Sequence, residues 1–497
     1  MVIPAQGRDS CDVLVIGAGG AGLAAAIEAA AAGARVVLIE KTPRPGGTTG
    51  LSVGSITVTR TPHQLRQGIH DSPAEHAADL VKINSRRGLP DNPELIRLLT
   101  ENVTDTFRWL MELGLDFVGP LPEPPHSQPR MHCVVPTSKA YIARLEERAG
   151  SLGVRVRCGF TAQSLITEGA RVVGVDGIDA AGGQARIHAG ATVLATGDYS
   201  ASAAMVEKYI SADAAKAIPA NPASTGDGHR MALALGARVL NGQVAWLANR
   251  FPLPMKPSLV QSLPPLRFMS RLIRIAYENL PEAIVRPFAM AFITSILQPS
   301  QGIYEAGAIL VNREGRRFGD ETGDLTLATA QQPGGTAFIM FDGRIVERFS
   351  RWPHFVSTAP GAGYAYAQDY RRYRRDLWRE GNSIGELARS LGVPGDTLRK
   401  TVSEYNQTAA RGPLSKAPFC SLGPLNAVLA FTDGGLAIDG DLRVLDGEDK
   451  PIPGLYAAGS VGQGGMLLDG HGHHIAWAFT SGRIAGRQAS AFVRAAR

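Results

Sequence analysis

The run GAGGAG places Gly17, Gly19 and Gly22 directly after an apolar stretch and at the start of an alanine-rich one, and Glu40 follows 23 residues after the first glycine. Each type has a chemical reason. The first glycine permits a tight turn, the second lets the backbone approach a pyrophosphate, and the third lets a helix lie close on a strand. The start of such a helix offers unpaired N–H groups and a positive dipole end to phosphate. An acid closing the next strand accepts from ribose hydroxyls and favours an adenosine without a 2′-phosphate. The pattern predicts a dinucleotide site, the alternative being a merely structural glycine turn.

A second set of reactive side chains stands far along the chain. The run DGHGHH, Asp469 to His474, sets one acid and three histidines just ahead of a helical stretch. Histidine moves protons near neutral pH, so Asp469, His471 and His473 are candidates for proton transfer. The plainer alternative for His473 and His474 is packing or hydrogen bonding. Tyr304 could donate to a carbonyl or abstract an α-proton, or could simply be a buried structural tyrosine.

These groups must be held by elements legible in the pattern. Residues 11–16 read as a buried strand, 21–32 as a helix and 35–40 as a second strand, the opening of a doubly wound sheet. A Gly/Thr loop covers 43–55, and helices over 73–84 and 93–113 each begin with proline at a first-turn position. A proline-rich loop is expected over 119–136. A helix from Lys139 leads to strands over 155–157, 171–178, 184–188 and 192–195, with Gly182-Gly183 as a hairpin signal, so a small antiparallel insertion returns to the main sheet. After Trp246, prolines 252, 254, 257, 264 and 265 interrupt the chain. The next helix, over 266–279, puts Met269, Leu272, Ile273 and Ala276 on one face and Arg267, Arg271, Arg274 and Glu278 on another. The division is 1–246 and 433–497 as the two parts of one α/β, Rossmann-like domain, interrupted by an α+β cap over 247–432.

Composition narrows the class. The 497 residues carry 51 Lys+Arg against 45 Asp+Glu, a net charge of +6, with 44% hydrophobic residues, which excludes disorder. Cys11, Cys133, Cys158 and Cys420 lie far apart with no CxxC pair, so a reducing cytosol and no metal site are expected. The chain opens on a short polar stretch rather than a basic-then-apolar signal, and the longest apolar run, 287–297, is too short to span a bilayer. A soluble, cytoplasmic protein is the expectation. The basic face of 266–279 admits weak contact with a membrane surface, an ordinary cap helix being the alternative. The run YRRYRRDLWRE has a basic-aromatic composition, but its interleaved acids argue against nucleic acid.

The stretches DVLVIGAGGAGLAAA, ATGDYS, STGDGHRMALALGA, GAILVNREGRRFGDE, GGLAID and IPGLYAAGSVGQGG, followed by AWAFTSGRIAG, together resemble the FAD-binding fumarate reductase/succinate dehydrogenase flavoprotein superfamily, which includes the 3-ketosteroid dehydrogenase-like branch. Residues 247–303 and 350–425 carry little of this likeness. The resemblance implies FAD, with a cap closing over its isoalloxazine ring. It implies that Gly17, Gly19, Ala21, Gly22, Glu40 and Lys41 hold the adenylate half, Gly46, Gly47, Thr48 and Thr49 the pyrophosphate, and Asp227 and Ser460 the ribityl and flavin region. Ala162, Thr196, Gly197 and Gly459 complete the set, and the last helix begins at the flavin with His473, His474 and Ile475. Relatives with covalent FAD carry a histidine just after the GG loop; residues 48–54 hold none, so noncovalent FAD is expected.

The resemblance also bears on the substrate. The fumarate reductase histidine falls near Ala248 and its last-loop arginine at Asp469, where a carboxylate would be repelled. The ketosteroid dehydrogenase tyrosines fall at Leu325 and Leu468. Tyr304 aligns with an arginine of fumarate reductases, Glu321 and Arg344 lie in segments that line or support their proton route, and Trp246 is a candidate apolar wall. The cap residues Phe251, Leu253, Met255, Leu259, Phe268, Met269, Phe288, Met290 and Phe292 favour a hydrophobic ligand. The expected activity is α,β-dehydrogenation of a hydrophobic cyclic or steroid-like ketone, with hydride passing to flavin N5. The alternatives are an enone or enoate reductase and an electron-transferring flavoprotein subunit. The electron partner stays open between quinone, another protein and oxygen, as do the direction of reaction and the oligomeric state.

Overall fold

The computed structural model describes residues 9–254, 263–281, 284–286, 290, 294, 297–359, 363–408 and 411–497. Met255, Leu259, Phe288 and Phe292 lie outside them. Strand β1 (Asp9–Ile16) is apolar from Val13 to Ile16 without alternation, as befits a strand covered on both faces. It runs into helix α1 (Gly20–Ala31), and the chain returns as strand β2 (Val36–Glu40), paired parallel to β1 with Val13 opposite Val36. On its other edge β1 pairs parallel with the strand Gln184–Leu194, which pairs in turn with Pro451–Ala457. The eight-stranded sheet is completed by Arg155–Cys158 beside β2, the edge strand Arg443–Leu445, and the antiparallel ribbon Thr161–Glu168 and Arg171–Ile178.

Two expectations change here. The strands expected over 184–188 and 192–195 are one, because the small residues 189–191 continue the ladder against β1. The expected proline-rich loop over 119–136 contributes to a three-stranded antiparallel sheet, with Met131–Val135 between Ser55–Thr57 and Asp116–Leu121. Pro120 is tolerated because its strand is an edge.

The second sheet has six strands and its own core. The chain enters through strand β3 (Ala245–Arg250), passes helix α2 (Arg267–Asn279), and ends with strand β4 (Phe419–Thr432). This 14-residue strand bonds to four others: Ile218–Pro219, β3, Thr336–Phe341 and Trp378–Gly381. The basic run 370–380 works inside this half. Arg374 is fully buried and bonds Asp376 and the carbonyl of Pro252, while Arg371 pairs with Glu380. In α2 the expected apolar face is only partly the inward one: Met269, Ile273 and Ala276 are half-buried, whereas Leu272 faces solvent and Ser270 is the buried residue.

Helix α3 (His473–Ala495) brings the chain back onto α1. A Cβ on Gly482 would stand 2.3 Å from the carbonyl oxygen of Ala21, and one on Gly486 would stand 2.2 Å from that of Ala25. Glycine is what lets the two helix backbones come this close.

Candidate active site

A cavity of about 580 Å3 opens where β1 hands over to α1. Gly17, Gly19, Ala21, Glu40, Lys41, Gly46, Gly47, Thr48, Thr49, Ala162, Thr196, Gly197, Asp227, Gly459 and Ser460 all line it. Gly22 does not: a Cβ there would lie 1.8 Å from the carbonyl oxygen of Gly17, so its place is in the close approach of helix to strand. The Glu40 carboxylate is fixed by N–H groups of Ala18 and Thr42, each at 2.8 Å, and by the Thr42 hydroxyl at 2.9 Å. Lys41 donates to Asp227 at 2.7 Å. Burial alone would raise Asp227, but the hydrogen bond and charge of Lys41 outweigh it and hold the carboxyl below its ordinary range. A cradle of small residues, an acid at one end and a helix N-terminus between them suit a dinucleotide. Asn221, which donates to the Thr48 hydroxyl at 2.9 Å, also lines the cavity and had no local spacing to mark it.

The start of α3 separates the residues of DGHGHH. His473 is fully buried, its Nε2 lying 3.2 Å from that of His76, with the ring of His126 5.2 Å away. Burial drives His473 well below the ordinary histidine range and His76 to about 3, so this cluster is neutral. His473, His474 and Ile475 do not line the cavity. Asp469 accepts from Arg87 through Nε and Nη2, at 2.8 and 2.5 Å, and that guanidinium lies 5.9 Å from the Trp246 ring. His471 is largely exposed and bonds Glu123. His474 Nε2 bonds Asp433 Oδ1 at 2.6 Å, and its ring lies 4.2 Å from that of Phe431, which neighbours Trp246 across the β3–β4 ladder. Asp433 is fully buried and its Oδ2 has no hydrogen-bond partner. Arg87 and Asp433 escaped sequence reasoning because nothing near them marks a partner about 380 or 40 residues away.

A second cavity, of about 360 Å3, is lined by Tyr304 and Glu321 together with Leu247, Asn249, Gln301, Leu310, Asp324 and Leu325. Glu321 accepts from Arg317 at 2.8 and 2.7 Å, from Arg411 at 2.8 Å and from the Leu310 N–H at 3.1 Å. The Tyr304 hydroxyl has no hydrogen-bond partner among the described residues. Burial, helped by the Glu321 charge, raises Tyr304 above its ordinary range. Arg344 bonds the Ala306 carbonyl and does not line this cavity. Trp246 is half-buried with its Nε1 unpartnered. Among the described residues, the apolar bulk of the insert does not line the cavity either. Phe251 and Met290 are buried away from it, and Leu253 and Phe268 face solvent. All four cysteines are free thiols. Among the described residues there is no cluster of metal ligands, and no helix is long and apolar enough to cross a membrane.

Comparison with known proteins agrees with this geometry. Residues 12–258 and 276–468 match the model of the FAD binding domain family. A Shewanella frigidimarina protein described as a probable fumarate reductase is 28% identical over 98% of this chain and 76% of its own. The open conformation of a flavocytochrome c3 fumarate reductase superposes with a TM-score of 0.73, at 26% identity over 98% of this chain and 80% of that one. A 3-ketosteroid-Δ4-(5α)-dehydrogenase from Rhodococcus jostii RHA1, in complex with 4-androstene-3,17-dione, gives 0.62 at 25% identity over 98% of both chains. The chain belongs to the FAD binding domain family as an FAD-dependent oxidoreductase.

Proposed function

We propose that the protein desaturates, or in reverse saturates, the C–C bond beside the carbonyl of an uncharged cyclic ketone. The observation that carries this reading is the Tyr304 hydroxyl, which lines the second cavity without a hydrogen-bond partner among the described residues while the neighbouring Arg317 and Arg411 are both bonded to Glu321. Burial keeps the tyrosine protonated at neutral pH, so it donates to a carbonyl oxygen rather than abstracting a proton. Donation there acidifies the adjacent C–H.

His474 stands outside both cavities. Its Nε2 is held by Asp433 Oδ1 at 2.6 Å, which fixes the ring at the approach from the start of α3. Trp246 and Phe431 wall this approach, and Asn249 lies three residues beyond Trp246 on β3, roughly 10 Å along the strand. The residues lining the first cavity, Gly17, Gly19, Ala21, Glu40, Lys41 and Gly46 to Thr49 among them, would hold FAD noncovalently, and when bound it would supply the acceptor or donor of the hydride. Asp469, ion-paired with Arg87, and His471, exposed and bonded to Glu123, orient the loop ahead of α3.

One observation favours a second reading, reduction of an unsaturated acid. The Nε of Arg250, on β3, is buried with no hydrogen-bond partner, and a buried unpaired cation is costly until an anion joins it. Anaerobic mixing with cyclic ketones and with unsaturated acids, followed at the flavin band, separates the two. Bleaching by a ketone, with Tyr304→Phe lowering kcat/KM about 100-fold, supports the first. No bleaching by any ketone, with prompt reoxidation of the reduced protein by an enoate and loss of that in Arg250→Ala, replaces it by the second.

A further inference from the structure

Helix α2 turns Ser270, with the half-buried Met269, Ile273, Arg274 and Ala276, towards the rest of the molecule. Arg274 bonds Asp116 at 3.1 Å and Arg267 reaches Glu147 at 3.4 Å, tying the helix to the nucleotide-binding half. The opposite side carries Phe268, 63% exposed, Leu272, 60%, and Ile275, 41%, one face of a 3.6-residue period. Leu65 is also exposed, on the short helix Pro62–Arg66, whose His63 feels the charges of both Arg66 and α2's Glu278. An isolated exposed leucine needs no explanation, but a contiguous apolar ridge does.

Shape and charge select the occupant. A 13-residue helix is about 20 Å long and about 10 Å wide, so the ridge offers roughly 200 Å2, against about 800 Å2 per partner in a stable protein interface. A convex ridge suits a surface that deforms around it. Arg271, on the edge of the ridge, and Arg66 are exposed and form no ion pair with the described residues, and the chain carries +6 overall. Apolar ridge plus bordering arginines is the chemistry of a helix lying in the headgroup boundary of an anionic bilayer.

We propose that α2 docks the protein on an anionic lipid surface, with Phe268, Leu272 and Ile275 entering the acyl boundary and Arg271 and Arg66 meeting headgroups. This goes beyond the oxidoreductase reading and is independent of the substrate. The test is flotation of the FAD-loaded full chain with vesicles of phosphatidylcholine alone and of phosphatidylcholine with phosphatidylglycerol, at low and high salt. The protein is expected to float with the anionic vesicles, about tenfold less with the neutral ones, and less at high salt. Phe268→Ser/Leu272→Ser should lower partitioning at least tenfold and Arg271→Glu several-fold, with melting temperature and flavin content unchanged. A wild-type chain that stays with no vesicles overturns the proposal, as does equal flotation of the variants. A wild-type dimer in light scattering that Phe268→Ser/Leu272→Ser converts to monomer also overturns it, assigning the ridge to a second copy.

Discussion

The cavity where β1 hands over to α1 is walled by backbone and small side chains, whereas the cavity around Tyr304 is walled by side chains whose neighbours are already paired with one another. Where backbone must approach a ligand, the constraint falls on residue type at fixed local spacing and changes little with the ligand's other end. Where side chains recognise a ligand, partners come from anywhere in the chain. A nucleotide site is therefore permanent in kind, and a substrate site is open to reassignment by a few substitutions.

Substitution of Gly22 by valine should break the first region outright, because the added Cβ meets the Gly17 carbonyl oxygen at 1.8 Å. The expected outcome is protein without flavin, read from the visible spectrum; retention of stoichiometric FAD would mean that the turn can yield. Acid should loosen the same region before the cap. His76 and His132 are driven by burial to about 3 and His229 to about 4, all three in the nucleotide-binding half. An unfolded histidine binds its proton near pH 6.5, so below that the unfolded chain holds more protons than the folded one. Stability falls by about 1 kcal/mol per pH unit per histidine, several kcal/mol by about pH 5. Chemical denaturation across that range, with flavin release as a second probe, checks it; a flat profile would locate the acid sensitivity elsewhere.

On the substrate side the effects should be smaller and leave flavin in place. Asp433→Asn is expected to cost about 10-fold in kcat, because His474, at the start of α3, loses the acceptor that holds its ring in place. Unchanged kinetics would reduce the pair to packing. Arg87→Ala leaves Asp469 without its cation; with both side chains only partly buried, a loss of about 1 to 2 kcal/mol in unfolding free energy is expected.

The same contrast explains what the sequence disclosed. The β1–α1–β2 unit, Glu40 and the GG loop were legible because their demands are local. The separation within DGHGHH was not. Asp469, His471, His473 and His474 look alike in sequence, yet they bond Arg87, Glu123, His76 and Asp433, residues 41 to 397 positions away. The way α2 faces was legible in part: Met269, Ile273 and Ala276 turn towards the molecule as periodicity implies, while the pairing of Arg274 with Asp116 and the exposure of Leu272 rest on distant partners.

The close packing of α1 against α3 has a consequence for biosynthesis. Ala21 and Ala25 leave the ribosome some 460 residues before Gly482 and Gly486, the residues that cover them. Until then the first nucleotide-binding strands present an uncovered alanine face, while the whole cap, with a core of its own, has already been made and can settle. The half that appears first is thus completed last, and in the interval a chaperone, or FAD itself, has an exposed surface to hold.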